Sequence, residues 1–410
     1  MQVDSLPEVR ALPIMLGGTP RVEDIVGRDR YVEKLWAELE YHSIIIKEAR
    51  RFGKTTATRL LEARAPKGWV CVRGTVQDAK TTADLVGLTL CRLHQHAEID
   101  RKLKKAIESV GRVTKSMSAG AFGANLSFEF HNGQETMIHL RRILASVGSY
   151  LGKKEKQLLI VWDEFPDAIR TITKTEGKDA AAHMMAFFRA LREMEGGEYI
   201  RWALTGSVGF HHVLKVLPGR SSLINDMLSV DLPPLTNEWA CWMAKCLLIG
   251  IGRKTDGAEL LAVASGGIPF VLELLVKHLK DMNQATPETA DAATKLLNEV
   301  AVSDSLGSNW AALLERVEGY YGEDRDLAED ILDLYAESAL PNAEMYDALA
   351  KKRKNKRADV PEDTHISDVL RLLIDDHYLR FDLNTRCSSW RYEPLRAIWR
   401  ARRAVTKKRL

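Results

Sequence analysis

Residues 43–63 read SIIIKEARRFGKTTATRLLEA, and the fold turns on that stretch. Three consecutive isoleucines, Ile44, Ile45 and Ile46, make a short unbroken apolar run of strand size. From Lys54 onward the apolar residues fall at helical spacing. Between the two lies most of the pattern G-x-x-x-x-G-K-[ST], with Gly53, Lys54 and Thr55 in place and Glu48 where the first glycine belongs. A strand, a loop and a helix start in that order offer backbone N–H groups and a positive helix end to an anion. Residues Glu48, Ala49, Arg50, Arg51, Phe52, Gly53, Lys54, Thr55 and Thr56 are therefore a candidate nucleotide-binding loop. Gly53 allows close backbone approach, Lys54 offers a point charge to the β- and γ-phosphates, and Thr55 offers a hydroxyl to Mg²⁺. Glu48 brings a carboxylate towards anionic phosphates unless its side chain points away, and Arg50 and Arg51 follow it as compensating charge.

The second half of such a site is read at 157–166, QLLIVWDEFP. An apolar strand ending in two acids places Asp163 at the carboxyl edge of a sheet, where it can hold Mg²⁺, and Glu164 beside it, where it can polarise an attacking water. This strand is expected to neighbour the one at 43–47. A further buried strand ends in Leu204-Thr205-Gly206-Ser207, and Thr205 or Ser207 is a candidate to touch the γ-phosphate or the water.

A chain of 410 residues is too long for one ordinary core, so two or three domains are expected. With 45% hydrophobic and 28% charged residues the composition is that of a soluble globular protein. No apolar run approaches the roughly 18 residues of a membrane span. The N-terminal stretch lacks the basic start and long apolar core of a signal peptide, so a cytoplasmic location is expected. Five scattered cysteines without C-x-x-C spacing read as reduced core thiols and offer no zinc set, and the histidine pairs His94/His96 and His211/His212 have no metal-like partners.

Strand-like runs at 43–47, 69–73, 157–162 and 199–205 alternate with helical patterns at 54–64, 82–97, 134–150 and 178–195. That alternation predicts an α/β fold, a P-loop parallel sheet with helices on both faces. The small, Gly-rich segment 116–130 interrupts it and reads as a hairpin insertion. After residue 235 the strands stop. Helices are expected at 236–249, 256–265, 268–282 and 286–302, with Gly266-Gly267-Ile268-Pro269 as a stop and restart. Helices at 325–337, 341–352 and 366–376, then strands at 378–382 and 389–392, spell a winged helix-turn-helix. The expected domains are a nucleotide-binding domain at 1–235, a helical lid at 236–318 and a winged-helix domain at 319–410.

The order Val26-Gly27-Arg28-Asp29, ARRFGKTT, IVWDEFP, LTGS, LPPLT and GGIP resembles the archaeal-type P-loop ATPases of the AAA+/STAND class, relatives of the origin-recognition initiator ATPases. The resemblance covers nearly the whole chain, with RRFGKT and DEFP its most specific parts. It implies that Gly27 and Arg28 lie beside the adenine and that Pro269 sits where the lid meets the nucleotide. It also implies an arginine near the γ-phosphate. Where the family often has Gly-Arg before the LPPL run, this chain reads Ile224-Asn225-Asp226, and Arg220, Arg201 and Arg192 are the substitutes.

Charge is unevenly spread. Residues 339–410 hold 17 Lys/Arg against 10 Asp/Glu, while the rest of the chain holds 42 against 46. The run 351–357, KKRKNKR, is expected to join the second and third helices of the winged module and to face a polyanion such as double-stranded DNA. The helix that should read bases is acid-rich, with Asp368, Asp375 and Asp376, so a protein-packing role for the module is the competing reading. The sequence as a whole predicts an ATP-binding switch, a slow ATPase using Lys54, Asp163, Glu164 and Ser207, that associates with itself or a partner protein. A non-hydrolysing DNA-binding regulator or scaffold with a structural nucleotide is the alternative.

Overall fold

Continuous apolar runs become parallel strands in the computed structural model, which describes residues 6–48, 51–110, 114–118, 125–129, 133–206, 210–218, 223–303, 317, 319–355, 359 and 361–407. The chain divides into two compact units, one of Asp29–Lys47 and Lys54–Leu232, the other of Met1–Arg28, Glu48–Gly53 and Pro233–Leu410.

The first unit opens with α1 (Asp29–Leu39), β1 (Ile44–Lys47), α2 (Lys54–Ala63) and β2 (Trp69–Thr75). Helices α3 (Thr82–His94) and α4 (Ala97–Val110) follow, then the antiparallel hairpin β3 (Thr114–Ser118) and β4 (Asn125–Glu129) and helix α5 (Gly133–Gly152). The rest is β5 (Gln157–Asp163), α6 (Phe165–Glu176), α7 (Lys178–Glu193), β6 (Ile200–Thr205), α8 (Phe210–Lys215) and β7 (Leu228–Asp231). Five of these strands form one parallel sheet in the order β2-β5-β6-β1-β7. The interior strand β5 is buried at every residue after Gln157, which is why it reads as an unbroken apolar run. Strand β7 escapes a periodicity reading because it is a short edge strand exposed at three of its four residues. Helices α4 and α6 were not expected from the sequence either.

The strand order corrects one expectation. β5 is not the neighbour of β1, because β6 lies between them, pairing Ile46 with Thr205 on one side and Trp162 with Leu204 on the other. Apolar runs identify strands but carry no information about their order. The core beneath this edge is aromatic: Trp202 meets Phe188 edge-on at 4.6 Å, and Phe165 lies 5.2 Å from Phe188. Such pairs contribute about 0.5–1.5 kcal/mol beyond their buried area, and they fix the strand ends from which Asp163 and Thr205 project.

The second unit carries α9 (Asn237–Gly250), α10 (Ala258–Ala264), α11 (Pro269–Asp281) and α12 (Ala290–Val302). Then come α13 (Arg325–Glu337), β8 (Leu340–Pro341), α14 (Asn342–Asn355), α15 (Asp363–Asp375), β9 (Leu379–Asp382), β10 (Cys387–Trp390) and α16 (Glu393–Lys407). The three short strands pair antiparallel in the order β8-β10-β9, so the hairpin has a third strand that the sequence did not announce. α16 packs on α12 and α13, with Trp399 5.9 Å from Trp390. Among the described residues no helix is long and apolar enough to cross a membrane.

Candidate nucleotide site

In the first unit the candidate residues gather on the acids of 163–164. Asp163 ends β5, is 5% exposed, and has donors on both oxygens. Thr55 Oγ1, one residue into α2, donates to Oδ2 at 2.5 Å. Thr205 Oγ1, fully buried at the end of β6, donates to Oδ1, as does the Glu164 N–H at 3.1 Å. The hydroxyl and carboxylate that the sequence nominated for Mg²⁺ are therefore in contact, and hard oxygen donors of this kind suit that ion. Lys54 starts α2 and is itself buried, and Thr56 follows within the helix.

Glu164 adopts φ 58°, ψ 35°, left-handed geometry that a side-chain-bearing residue takes at a cost of order 1–3 kcal/mol. The turn places Asp163 on the strand and starts α6 one residue later, leaving the Glu164 side chain half-buried. Gly206 is required there: a Cβ would lie 2.4 Å from Pro166 Cδ. Of the two hydroxyls nominated beside it, Thr205 meets Asp163, and Ser207 lies outside the described residues.

Loop residues 48–53 fall in the second unit. Gly53 takes φ 91°, the left-handed conformation for which the pattern keeps a glycine. Arg51 takes φ 67° without one, its guanidinium 5.0 Å from the Phe270 ring centre. Phe52 is buried with its ring 4.8 Å from that of Tyr392, and its carbonyl accepts from Arg28 Nη2 at 3.2 Å. Arg28 also donates to the Pro233 carbonyl, so its fork ties the loop backbone to the first proline of the LPPL run. Gly27 packs where a Cβ would lie 2.7 Å from Trp239. Pro269 is the first residue of α11, and the preceding Gly267 carbonyl accepts from the Leu235 N–H at 2.8 Å. Ala49 and Arg50 lie outside the described residues.

Glu48 is the residue whose surroundings the sequence could not supply. Its side chain is fully buried, accepting from His377 Nδ1 at 2.9 Å and from the Tyr392 hydroxyl at 2.9 Å, with Arg391 3.8 Å away. More than 300 residues separate the partners. The only sequence signal was an acid standing in a glycine's place.

Two substitute arginines are engaged elsewhere. Arg192 pairs with Asp226 at 2.5 Å and donates to the Phe188 and Leu223 carbonyls, and Arg201 donates to the carbonyls of Glu198 and Glu40. Both hold local structure. Arg220 lies outside the described residues. The basic run also differs from its expectation, since 351–355 lies inside α14 rather than in a connecting loop. Lys352 pairs with Asp333 at 3.0 Å, Arg353 with Asp330 at 3.0 Å, and Arg403 with Asp333 at 2.8 Å. Part of the positive charge is thus spent within the unit, on acids of α13.

No family model matches the chain, and no curated protein is similar to it in sequence. Solved structures do align with it. The Aeropyrum pernix ORC2 protein in its ADPNP–ADP complexes aligns at 13% identity over 95% of this chain and 99% of that one, with a TM-score of 0.48. The Walker-type ATPase PABY2304 of Pyrococcus abyssi aligns at 17% identity over 93% of this chain and 98% of that one, with a TM-score of 0.61. At that identity the likeness is one of architecture: this chain has the fold of that Walker-type ATPase.

Proposed function

We propose that this chain is an ATP–Mg²⁺-binding switch and a slow ATPase. The observation that carries the reading is the contact of Thr55, third residue of the GKT run, with Asp163 at the end of β5. Lys54 supplies the cation for the β- and γ-phosphates, and the loop amides up to Gly53 wrap them. Thr55 and Asp163 would hold Mg²⁺, which neutralises phosphate charge when bound. Glu164, aimed by its left-handed turn, polarises the attacking water, while Thr205 holds Asp163 in place. The resemblance supports a three-part organisation, with a nucleotide domain at 1–235, a lid at 236–318 and a winged helix at 319–410, and self-association as the output. A duplex-DNA contact is a second reading, favoured by the exposed cations Lys351, Lys354, Arg371 and Arg380 on the C-terminal elements.

Steady-state phosphate release at saturating ATP–Mg²⁺ tests the enzyme. Glu164→Gln should lower turnover at least about a hundredfold, the scale of a lost general base, while ATP affinity stays within about threefold. Wild-type release no faster than that of the variant would leave the non-hydrolysing scaffold as the better account.

A further inference from the structure

Nothing in the backbone at position 48 calls for glycine, because among the described loop residues Arg51 and Gly53 carry a positive φ and Glu48 does not. What the glutamate adds is a carboxylate, and a fully buried carboxylate is costly unless it is paired and hydrogen-bonded. Its partners flank the strands of the C-terminal sheet. An ionised carboxylate only accepts, so His377 donates from Nδ1, at 2.9 Å, and Tyr392 donates its hydroxyl to the other oxygen at 2.9 Å. Burial, then the charge of Glu48, push the Tyr392 phenol up, which keeps it a donor. His377 stands in the turn before β9 with φ 66°, a left-handed position that directs its ring inward, and Tyr392 lies between β10 and α16. The Tyr392 ring also packs on Phe52, so the C-terminal elements grip the loop at two points four residues apart.

We propose that the C-terminal elements clamp the phosphate loop through Glu48, with His377 and Tyr392 as positioning residues that preorganise the loop and thereby set its nucleotide affinity. The consequence for affinity rests on the ATP reading above; the clamp itself does not. Linkage is reciprocal, so whatever displaces the C-terminal elements weakens nucleotide binding, and nucleotide binding favours the clamped arrangement to the same extent. The side chain that replaces the loop's first glycine is then the part through which a switch of this kind communicates.

Tryptic nicking after Arg51 in the full, nucleotide-free chain reads loop release, with cleavage after the exposed Lys254 as control. His377→Leu/Tyr392→Phe should speed the Arg51 cut at least about tenfold and leave the Lys254 cut within about twofold. His377→Asn, whose amide can stand in for Nδ1–H, should stay near wild type. If the pair of substitutions unfolds the chain, Tyr392→Phe alone keeps the ring on Phe52 and should still speed the cut about threefold. Adding Tyr392→Phe to Glu48→Gly should change nothing further, since both remove one interaction. In the His377→Leu/Tyr392→Phe chain ATP should bind at least about fivefold more weakly, and in His377→Asn about as in wild type. An unchanged Arg51 cut, additive effects, or unchanged or tighter ATP binding overturns the clamp. A wild type that binds no ATP overturns the functional reading instead, and the nicking still decides the clamp.

Discussion

Asp163 is held from three sides, and each contact comes from a different piece of sequence: the GKT run, the LTGS run and the residue next in the chain. Removing one donor from a buried carboxylate leaves an acceptor unsatisfied, which costs about 1–3 kcal/mol, more for a charged group. Thr205→Val keeps the shape and removes only the hydroxyl. It should lower stability to urea by roughly that amount, and a loss under about 0.5 kcal/mol would show that the contact is not made in solution. At this scale the sequence was legible where chemistry is written contiguously. Lys54, Thr55, Asp163 and Glu164 stand in short runs whose order of residue types has a physical reason. The contact of Thr205 with Asp163 depended on strand register, which no run of letters contains. The partners of Glu48 depended on tertiary structure alone.

Among the elements, α13 and α14 show how a charge run can mislead. KKRKNKR reads as a solvated, polyanion-facing stretch, yet the helix turns Lys352 and Arg353 towards Asp330 and Asp333. Burial by itself would raise the Asp333 carboxyl, but hydrogen bonds and charge from Arg403 and Lys352 outweigh it and bring it to about 2. Trp399 Nε1–H adds a further donor at 2.9 Å. A carboxyl depressed in the folded chain contributes stability that is complete above its unfolded value near 4 and is lost as pH falls through about 2. Asp333 should therefore contribute roughly 2 kcal/mol at neutral pH, falling away between about pH 4 and pH 2. Urea unfolding of wild type and Asp333→Asn at pH 5 and pH 2.5 measures it. The gap between the two proteins should narrow on acidification, and a gap that stays constant would contradict the assignment. Helix positions were legible because apolar spacing survives in α9 to α13. The ion pairs were not, because residues on α13, α14 and α16 meet only once the helices pack. Strand β7 was missed for the opposite reason, having too little burial to leave a pattern.

Across the whole molecule, strand order is what turns two motifs into one site. With β6 between β1 and β5, the ends of all three strands come to one edge, and that edge gathers Thr55, Asp163 and Thr205. The class of the sheet followed from alternating strand and helix patterns, while its order followed from packing that only the structure contains. The central claim is that this chain binds ATP with Mg²⁺, with Lys54 as the phosphate cation. A ligand that binds the folded chain alone stabilises it by about 2.7 kcal/mol at a hundredfold excess over its Kd. Thermal unfolding of the full chain at millimolar ATP–Mg²⁺ therefore tests the claim directly. The account predicts a melting point raised by several degrees in wild type and no shift in Lys54→Ala, whose phosphate cation is gone. A wild-type melting point that ATP–Mg²⁺ leaves unchanged would contradict it.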